Sequence, residues 1–292
     1  MKFTLPARMP FNFHSVINSH GWYQLVPFHF DEESNTLHYV LQLANGRVIE
    51  VKMREAADGV SVETEKMDKF ERRGVADKVK WMFDLDSDFS HFYAVCLEEP
   101  KLARVEARAL GRVLRSPTVF EDVVKTILTT NTLWGATKNM TRKLVNEFGR
   151  LLKGQVEKRA FPTSTSIAAG SPEILKEKVR TGYRSPAIHQ LAVRVASGEL
   201  DLESLKTSAL PTLELRKELL KINGVGPYAA ANLLMILGRH DFIPIDSYAL
   251  KMVSHEWYKG TPITAKEVEK RFEKWGEFKG LAYWFWGWTY NG

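Results

Sequence analysis

The residues best suited to chemistry are a pair of glycines and a carboxylate that follows them. Gly224 and Gly226 flank Val225 in the run Leu219-Leu220-Lys221-Ile222-Asn223-Gly224-Val225-Gly226-Pro227-Tyr228, and Asp246 stands twenty residues after Gly226 in Ile243-Pro244-Ile245-Asp246. Two glycines around one apolar residue permit a tight hairpin with φ > 0. They also let the backbone N–H groups of Asn223, Gly224, Val225 and Gly226 approach a phosphodiester with no Cβ in the way. Pro227 suits the first position of a helix, whose free N–H groups and dipole can then face an anion. A carboxylate near a gripped phosphodiester can stabilise positive charge developing on a sugar or activate a water, as carboxylates do in glycoside hydrolysis. Asp246 also reads as a cap for a helix from Ser247 to Val253, and the two roles are compatible.

Around this site the pattern predicts a helix over Thr212 to Leu220, behind Pro211, and another over Tyr228 to Leu237, with Ala229, Ala230 and Ala231 allowing close approach and Gly238 as a stop. That is a helix-hairpin-helix. Upstream, Thr118-Val119-Phe120-Glu121 fits a capping box, and Phe120, Val123, Val124, Ile127 and Leu128 recur at helical spacing. Thr129-Thr130-Asn131-Thr132 interrupts that stripe before a helix marked by Trp134, Met140, Leu144 and Phe148, and on its own reads as a polar turn. Thr181-Gly182-Tyr183-Arg184-Ser185-Pro186 is a second turn, before a helix from Ala187 to Ser197. Its ring beside a guanidinium suits insertion between bases, with the guanidinium taking a base edge or phosphate; a surface turn with a packed Tyr is the plainer reading.

The N-terminal part reads as β. Leu37, Tyr39, Leu41 and Leu43 alternate up to the turn signal Asn45-Gly46, and Ile49, Val51 and Met53 alternate away from it. A third strand is expected around Val60 and Val62, and the segment from Phe11 to Phe28 is expected to hold a helical stretch and then a strand. From about Ala76 the periodicity is helical. The expected fold is α+β: an antiparallel β domain over 1–75, then a larger all-α domain over 76–292 that contains the helix-hairpin-helix.

Composition is compatible with this reading and less specific. A chain of 292 residues with 44% hydrophobic content can bury a sizeable core, and 41 basic against 35 acidic residues give a mild +6 that permits nucleic-acid binding. One cysteine, Cys96, excludes a disulfide framework and a cysteine-ligated zinc or iron–sulfur site. With no signal pattern and no membrane-length apolar run, a soluble intracellular protein is expected, without a membrane partner.

The order of hairpin, Gly-Val-Gly-Pro, alanine-rich helix and Pro-Ile-Asp resembles the helix-hairpin-helix (HhH-GPD) superfamily of DNA glycosylases, and looser matches around Asn131 and Tyr183 extend the likeness over most of the chain. The resemblance implies Asp246 as the catalytic carboxylate, Asn131 as a side chain that enters the DNA stack or contacts the orphaned base, and Tyr183 and Arg184 in the same work. Such filling is needed because a base inside a duplex is reached only by turning its nucleotide out. It also implies double-stranded DNA with a damaged base as partner, a monomer, and a location with the DNA: the nucleoid of a prokaryotic cell or the nucleus of a eukaryotic one. No cofactor is required, though a structural monovalent cation on the backbone carbonyls of Ile222 and Val225 is implied.

Two branches of that superfamily carry an extra N-terminal β domain, and the chain is a mosaic of them. Bifunctional members have a lysine two residues after the second hairpin glycine, which attacks the sugar through a Schiff base; here Tyr228 stands there, which implies water as nucleophile and an abasic product without strand nicking. The 8-oxoguanine branch has an arginine five residues after the inserting Asn, where this chain has Ala136. Phe11-Asn12-Phe13 to His20-Gly21-Trp22 resembles the 3-methyladenine glycosylase II branch, which takes cationic N-alkylated purines into an aromatic pocket, a setting in which a cation gains from ring faces. Trp22, Trp134 and Tyr228 are the pocket candidates, with Tyr23 and the tail Tyr283-Trp284-Phe285-Trp286 behind them. Asn131 and Gly182-Tyr183-Arg184 look more like the 8-oxoguanine branch, so an 8-oxoguanine glycosylase stays open. So does a non-catalytic helix-hairpin-helix DNA-binding protein, which would need Gly224 and Gly226 but neither Asp246 nor a filler.

Overall fold

The computed structural model describes residues 1–288. Its N-terminal part is one five-stranded antiparallel sheet of β1 (Lys2–Pro6), β2 (Phe28–Asp31), β3 (Thr36–Gln42), β4 (Val48–Ala56) and β5 (Gly59–Glu63), in the order β1-β5-β4-β3-β2. The expected turn joins β3 and β4: Gly46 has φ 83°, and the register pairs Leu41 with Ile49 and Leu37 with Met53. The third strand falls on Val60 and Val62 as expected, and Phe28 begins a strand. β1 was not foreseen, since Lys2-Phe3-Thr4-Leu5-Pro6 is short and ends in a proline that an edge strand tolerates.

The change from strand to helix comes between Glu63 and Lys69, and the helical part carries α1 (Lys69–Phe83), α2 (Val119–Thr129), α3 (Trp134–Phe148), α4 (Ser185–Ala196), α5 (Thr212–Leu220), α6 (Pro227–Ile236), α7 (Ser247–Tyr258) and α8 (Ala265–Phe272), with shorter helices between. By contacts the chain divides elsewhere than at residue 75, into one compact unit of Met1–Ser87 with Arg112–Thr207 and another of Asp88–Gly111 with Ser208–Gly292. The sheet therefore shares its unit with α1 to α4. No described helix is long and apolar enough to cross a membrane.

In the first unit the sheet is fastened to α2 by buried polar groups. Glu121 accepts from the Tyr39 hydroxyl at 2.6 Å and pairs with Lys125, one turn on, at 2.6 Å. Asp122 accepts from the Trp22 indole N–H at 2.7 Å and from the Ser116 backbone N–H at 3.0 Å. The Lys125 side chain has 0% exposure and lies over the Phe28 and Phe161 rings. This alters the expected capping box. Thr118 does accept from the Glu121 N–H, but the Glu121 side chain is turned inward instead of completing the box, and Glu203 accepts from the next two N–H groups, those of Val119 and Phe120.

The second unit has an aromatic core. Trp257, Phe272, Trp275 and Trp286 meet with ring centroids 5.2–5.6 Å apart. Tyr283, Phe285 and Trp286 of the tail are 5–7% exposed, so these members of the aromatic tail are packing residues.

Burial sets two opposed titrations beside α2. It pushes the Asp122 carboxyl up from 3.8 to about 7, against the hydrogen bonds from Ser116 and Trp22, and it pushes His20 down from 6.5 to about 4, against the Leu114 carbonyl it bonds. Asp122, raised on folding, stabilises fully below its unfolded value and loses that contribution as pH rises through 7; His20, lowered on folding, stabilises above 6.5 and loses its contribution as pH falls through 4. The slopes oppose in between. Asp122→Asn keeps an acceptor for Trp22 and Ser116 but cannot ionise, so its stability, read from urea unfolding, is expected to fall more steeply than wild type on acidification from pH 6.5 to 4, the divergence amounting to a few kcal/mol. Parallel profiles would contradict this account of burial.

Candidate functional site

In the first unit the two polar turns meet. α2 ends at Thr129, and Asn131 adopts the left-handed conformation, φ 45°, which Asn tolerates better than most residues. Its side-chain amide donates to the Tyr183 hydroxyl at 3.2 Å. Tyr183 is 65% exposed, on the short helix Gly182–Arg184 that leads into α4. The base of its turn is rigid: the Thr181 hydroxyl is bonded to the Leu175 carbonyl at 3.0 Å and to the Ser185 hydroxyl at 2.7 Å, and the latter donates to the Gly182 carbonyl at 2.7 Å.

Arg184 departs from the expected use. It is 7% exposed, and its guanidinium donates to the Thr130 carbonyl and hydroxyl and to the Thr181 and Asn131 carbonyls while lying 4.4 Å from the Tyr183 ring centroid. A planar fork with several donors suits this joint. The guanidinium that was to take a base edge or phosphate is engaged in holding one turn to the other.

Leu133 is the residue that sequence reasoning missed. It is 83% exposed at the N-cap of α3, two residues after Asn131, with no side-chain cap bond. An apolar residue where Ser, Thr, Asp or Asn is usual was the available signal. Asn131, Leu133 and Tyr183 together form an exposed prow, part polar and part apolar.

The base-pocket candidates are divided between the units. Trp22 is 6% exposed, its indole N–H fixed by Asp122, and Trp134 is half-buried, its indole N–H donating to Gln24 at 2.9 Å and its ring so close over Gly21 that a Cβ there would lie 2.3 Å from it. Both belong to the first unit. Tyr228 belongs to the second, with the hairpin and Asp246.

In the second unit α5 has the bounds expected, and α6 lies one residue earlier than expected at each end, opened by Pro227. Gly224 has φ 86°, closed by a Val225 N–H to Ile222 carbonyl bond of 3.0 Å. Gly226 differs from expectation: its φ is −91° and ψ −176°, an extended conformation open to any residue, and a Cβ there would meet nothing within 4 Å. Only one of the two glycines is required by the turn. No side chain caps α6, which leaves its first N–H groups directed outward beside the hairpin. The cation expected on Ile222 and Val225 is compatible with the carbonyls present: that of Ile222 has a second lone pair, and no backbone N–H among the described residues donates to that of Val225.

Asp246 is exposed and caps α7, one carboxylate oxygen accepting from the Ala249 N–H at 2.8 Å. α7 runs to Tyr258, beyond the Val253 expected. Burial and then the Asp246 charge raise the hydroxyls of Tyr228 and Tyr283 above the ordinary phenol value. Cys96 offers no competing nucleophile: burial pushes its thiol up to about 12. Among the described residues no group of His, Cys, Asp and Glu could hold a metal ion.

The hairpin geometry separates the glycines by stability. Gly224→Ala is expected to cost roughly 1–2 kcal/mol through its positive φ, and Gly226→Ala to change stability by less than about 0.5 kcal/mol, as surface changes do. Urea unfolding of both variants measures this, and equal losses would contradict it.

Comparison with known proteins identifies the family. The chain is 26% identical over 225 residues to a DNA-3-methyladenine glycosylase of Bacillus subtilis, covering 75% of this chain and 74% of the relative. The structure of MBOgg1 in complex with a low-affinity DNA ligand superposes with a TM-score of 0.74 at 25% identity, covering 97% of this chain and 92% of that one. An 8-oxoguanine glycosylase/lyase of Clostridium acetobutylicum shares the fold, with a TM-score of 0.72 at 22% identity over 94% of this chain and 91% of its own. Residues 124–278, more than half the chain and including the Asn131 turn, the hairpin and Asp246, match the HhH-GPD superfamily of base excision DNA repair proteins, and the chain belongs to that superfamily.

Proposed function

We propose that this glycosylase is monofunctional: it binds duplex DNA, turns a damaged, N-alkylated purine out of the stack, and hydrolyses the N-glycosidic bond to leave an abasic site. The observation that carries the reading is Asp246, an exposed carboxylate oriented by its own helix, together with Tyr228 where a bifunctional enzyme would present an amine.

As the bond from C1′ to the base nitrogen lengthens, its electron pair leaves with the base and positive charge builds on the sugar. Asp246 lowers the energy of that charge, or takes a proton from the water whose oxygen bonds to C1′. A cationic alkylated purine departs as a neutral base, so no acid is needed to protonate it. Tyr228 supplies a ring face on which such a cation gains. The hairpin N–H groups and the start of α6 hold the backbone, a contact without sequence information, and a monovalent cation on the Ile222 and Val225 carbonyls would add charge there. The Asn131, Leu133 and Tyr183 prow fills the gap left by the extruded nucleotide.

A second reading, excision of 8-oxoguanine, is favoured by the Asn131 amide to Tyr183 hydroxyl joint, since a polar filler can bond the orphaned base; the absence of a lysine at Tyr228 weighs against it.

Asp246→Asn tests the proposal cleanly, because Asn caps a helix as well as Asp does. It is expected to retain duplex binding and lose base release about a hundredfold or more; near-wild-type turnover would remove Asp246 from the mechanism. Borohydride is expected to trap no covalent enzyme–DNA adduct, with strands breaking only after alkali or heat. A trapped adduct would mean that an amine attacks and that the enzyme is bifunctional.

A further inference from the structure

The second unit contains a basic groove that shares Pro227 and Tyr228 with the start of α6. It encloses about 610 Å³ between α5, the start of α6, the segment around Phe242 and one face of α8. Its lining carries four cations, Arg216, Lys266, Lys270 and Lys279, against two carboxylates, Glu269 and Glu273, an excess of two positive charges. Glu269 is paired with Lys279 at 2.6 Å. Lys266 and Lys270 stand one turn apart on α8 and pair with no described carboxylate.

Arg216 is the telling member. Its guanidinium lies over the Phe242 ring, 5.1 Å from the centroid, so one face is covered by apolar surface. Its Nε is shielded from water and has no hydrogen-bond partner. A charged donor withdrawn from water without an acceptor is unfavourable, and a bound anion would relieve it. The fork of Arg216 and two mobile ammonium groups fit the tetrahedral oxygens of a phosphate, and the excess of two charges matches a phosphate better than a single carboxylate. Phe242, Ile243, Ile245 and Pro227 give the same groove an apolar wall suited to a sugar.

We propose that this groove binds a phosphate group through Arg216, Lys266 and Lys270, either a backbone phosphate of bound DNA or the phosphate of a soluble nucleotide. It adjoins the proposed hairpin grip through Pro227 and Tyr228, and it does not depend on which lesion, if any, is excised.

The test uses the full chain, with Arg216→Gln and, because that side chain is partly enclosed, the exposed Lys270→Gln as a second variant. Calorimetric titration with inorganic phosphate and with adenosine 5′-monophosphate addresses the soluble source. The salt dependence of binding to an undamaged duplex addresses the backbone source. If the groove holds a backbone phosphate, both variants lower the slope of log K against log salt by about 0.9, and the mononucleotide binds without saturation. If it holds a soluble phosphate, wild type binds one equivalent, both variants weaken that binding at least tenfold, and the duplex slope is unchanged. Unchanged slopes together with no saturable phosphate or nucleotide binding to wild type overturn the proposal. Should wild type fail to bind duplex at all, the proposed DNA function falls while the titrations still decide the groove.

Discussion

Lys125 has no exposed surface, and what it touches fixes the first unit. An ammonium removed from water is tolerable only with a partner, and removing one member of such a buried pair typically costs about 3–5 kcal/mol. Glu121 is that partner, and because it also accepts the Tyr39 hydroxyl, the pair fastens α2 to β3 in one orientation. Asp122, one residue on, fastens the same helix to Trp22. Where α2 ends is thereby set by the sheet, and it ends at the turn carrying Asn131. Arg184 continues the restraint by gathering the carbonyls of Thr130, Asn131 and Thr181. For the proposed insertion into a base stack such stiffness is an advantage, since ordering the turns on contact would subtract from binding.

The second unit solves a different problem with a helix terminus. Asp246 is held by the bond that begins α7, so the carboxylate proposed to stabilise charge is oriented before any ligand binds. Its neighbours are phenols that burial and its own charge keep protonated. Among the described residues no cation is paired with Asp246, so under the proposed mechanism its field would be free for a charge that develops on the sugar. The proposed role of the hairpin is the reverse, fixed N–H dipoles for a phosphate that is already charged.

Much of this site was legible in the sequence because its signals are local. Gly224, Pro227 and Asp246 act within a few residues of themselves, through a positive φ, a helix start and a cap, and α5 falls on the predicted residues. The features that escaped are long-range. Glu121 fits a capping box by spacing, but its side chain is claimed by Tyr39, 82 residues away. Arg184 reads as a free DNA contact until Thr130, 54 residues earlier, supplies its acceptors. That the Trp22 indole N–H is held by Asp122, 100 residues on, was likewise not visible in the local pattern. Gly226 reads as a twin of Gly224, yet neighbouring positions of one turn need not share a conformation. Leu133 was passed over because an apolar residue at a helix start looks like the first of a buried stripe.

The central claim is that a carboxylate without an amine suffices here because the leaving base is already cationic. Single-turnover base release from matched duplexes measures it most directly, one carrying 3-methyladenine and one carrying 8-oxoguanine opposite cytosine, with the freed base identified by mass. The account predicts faster release of the alkylated purine, little dependence on the opposing base, since Ala136 cannot read it, and an intact abasic strand. Rapid, cytosine-selective release of 8-oxoguanine, or no release of either base, would contradict it.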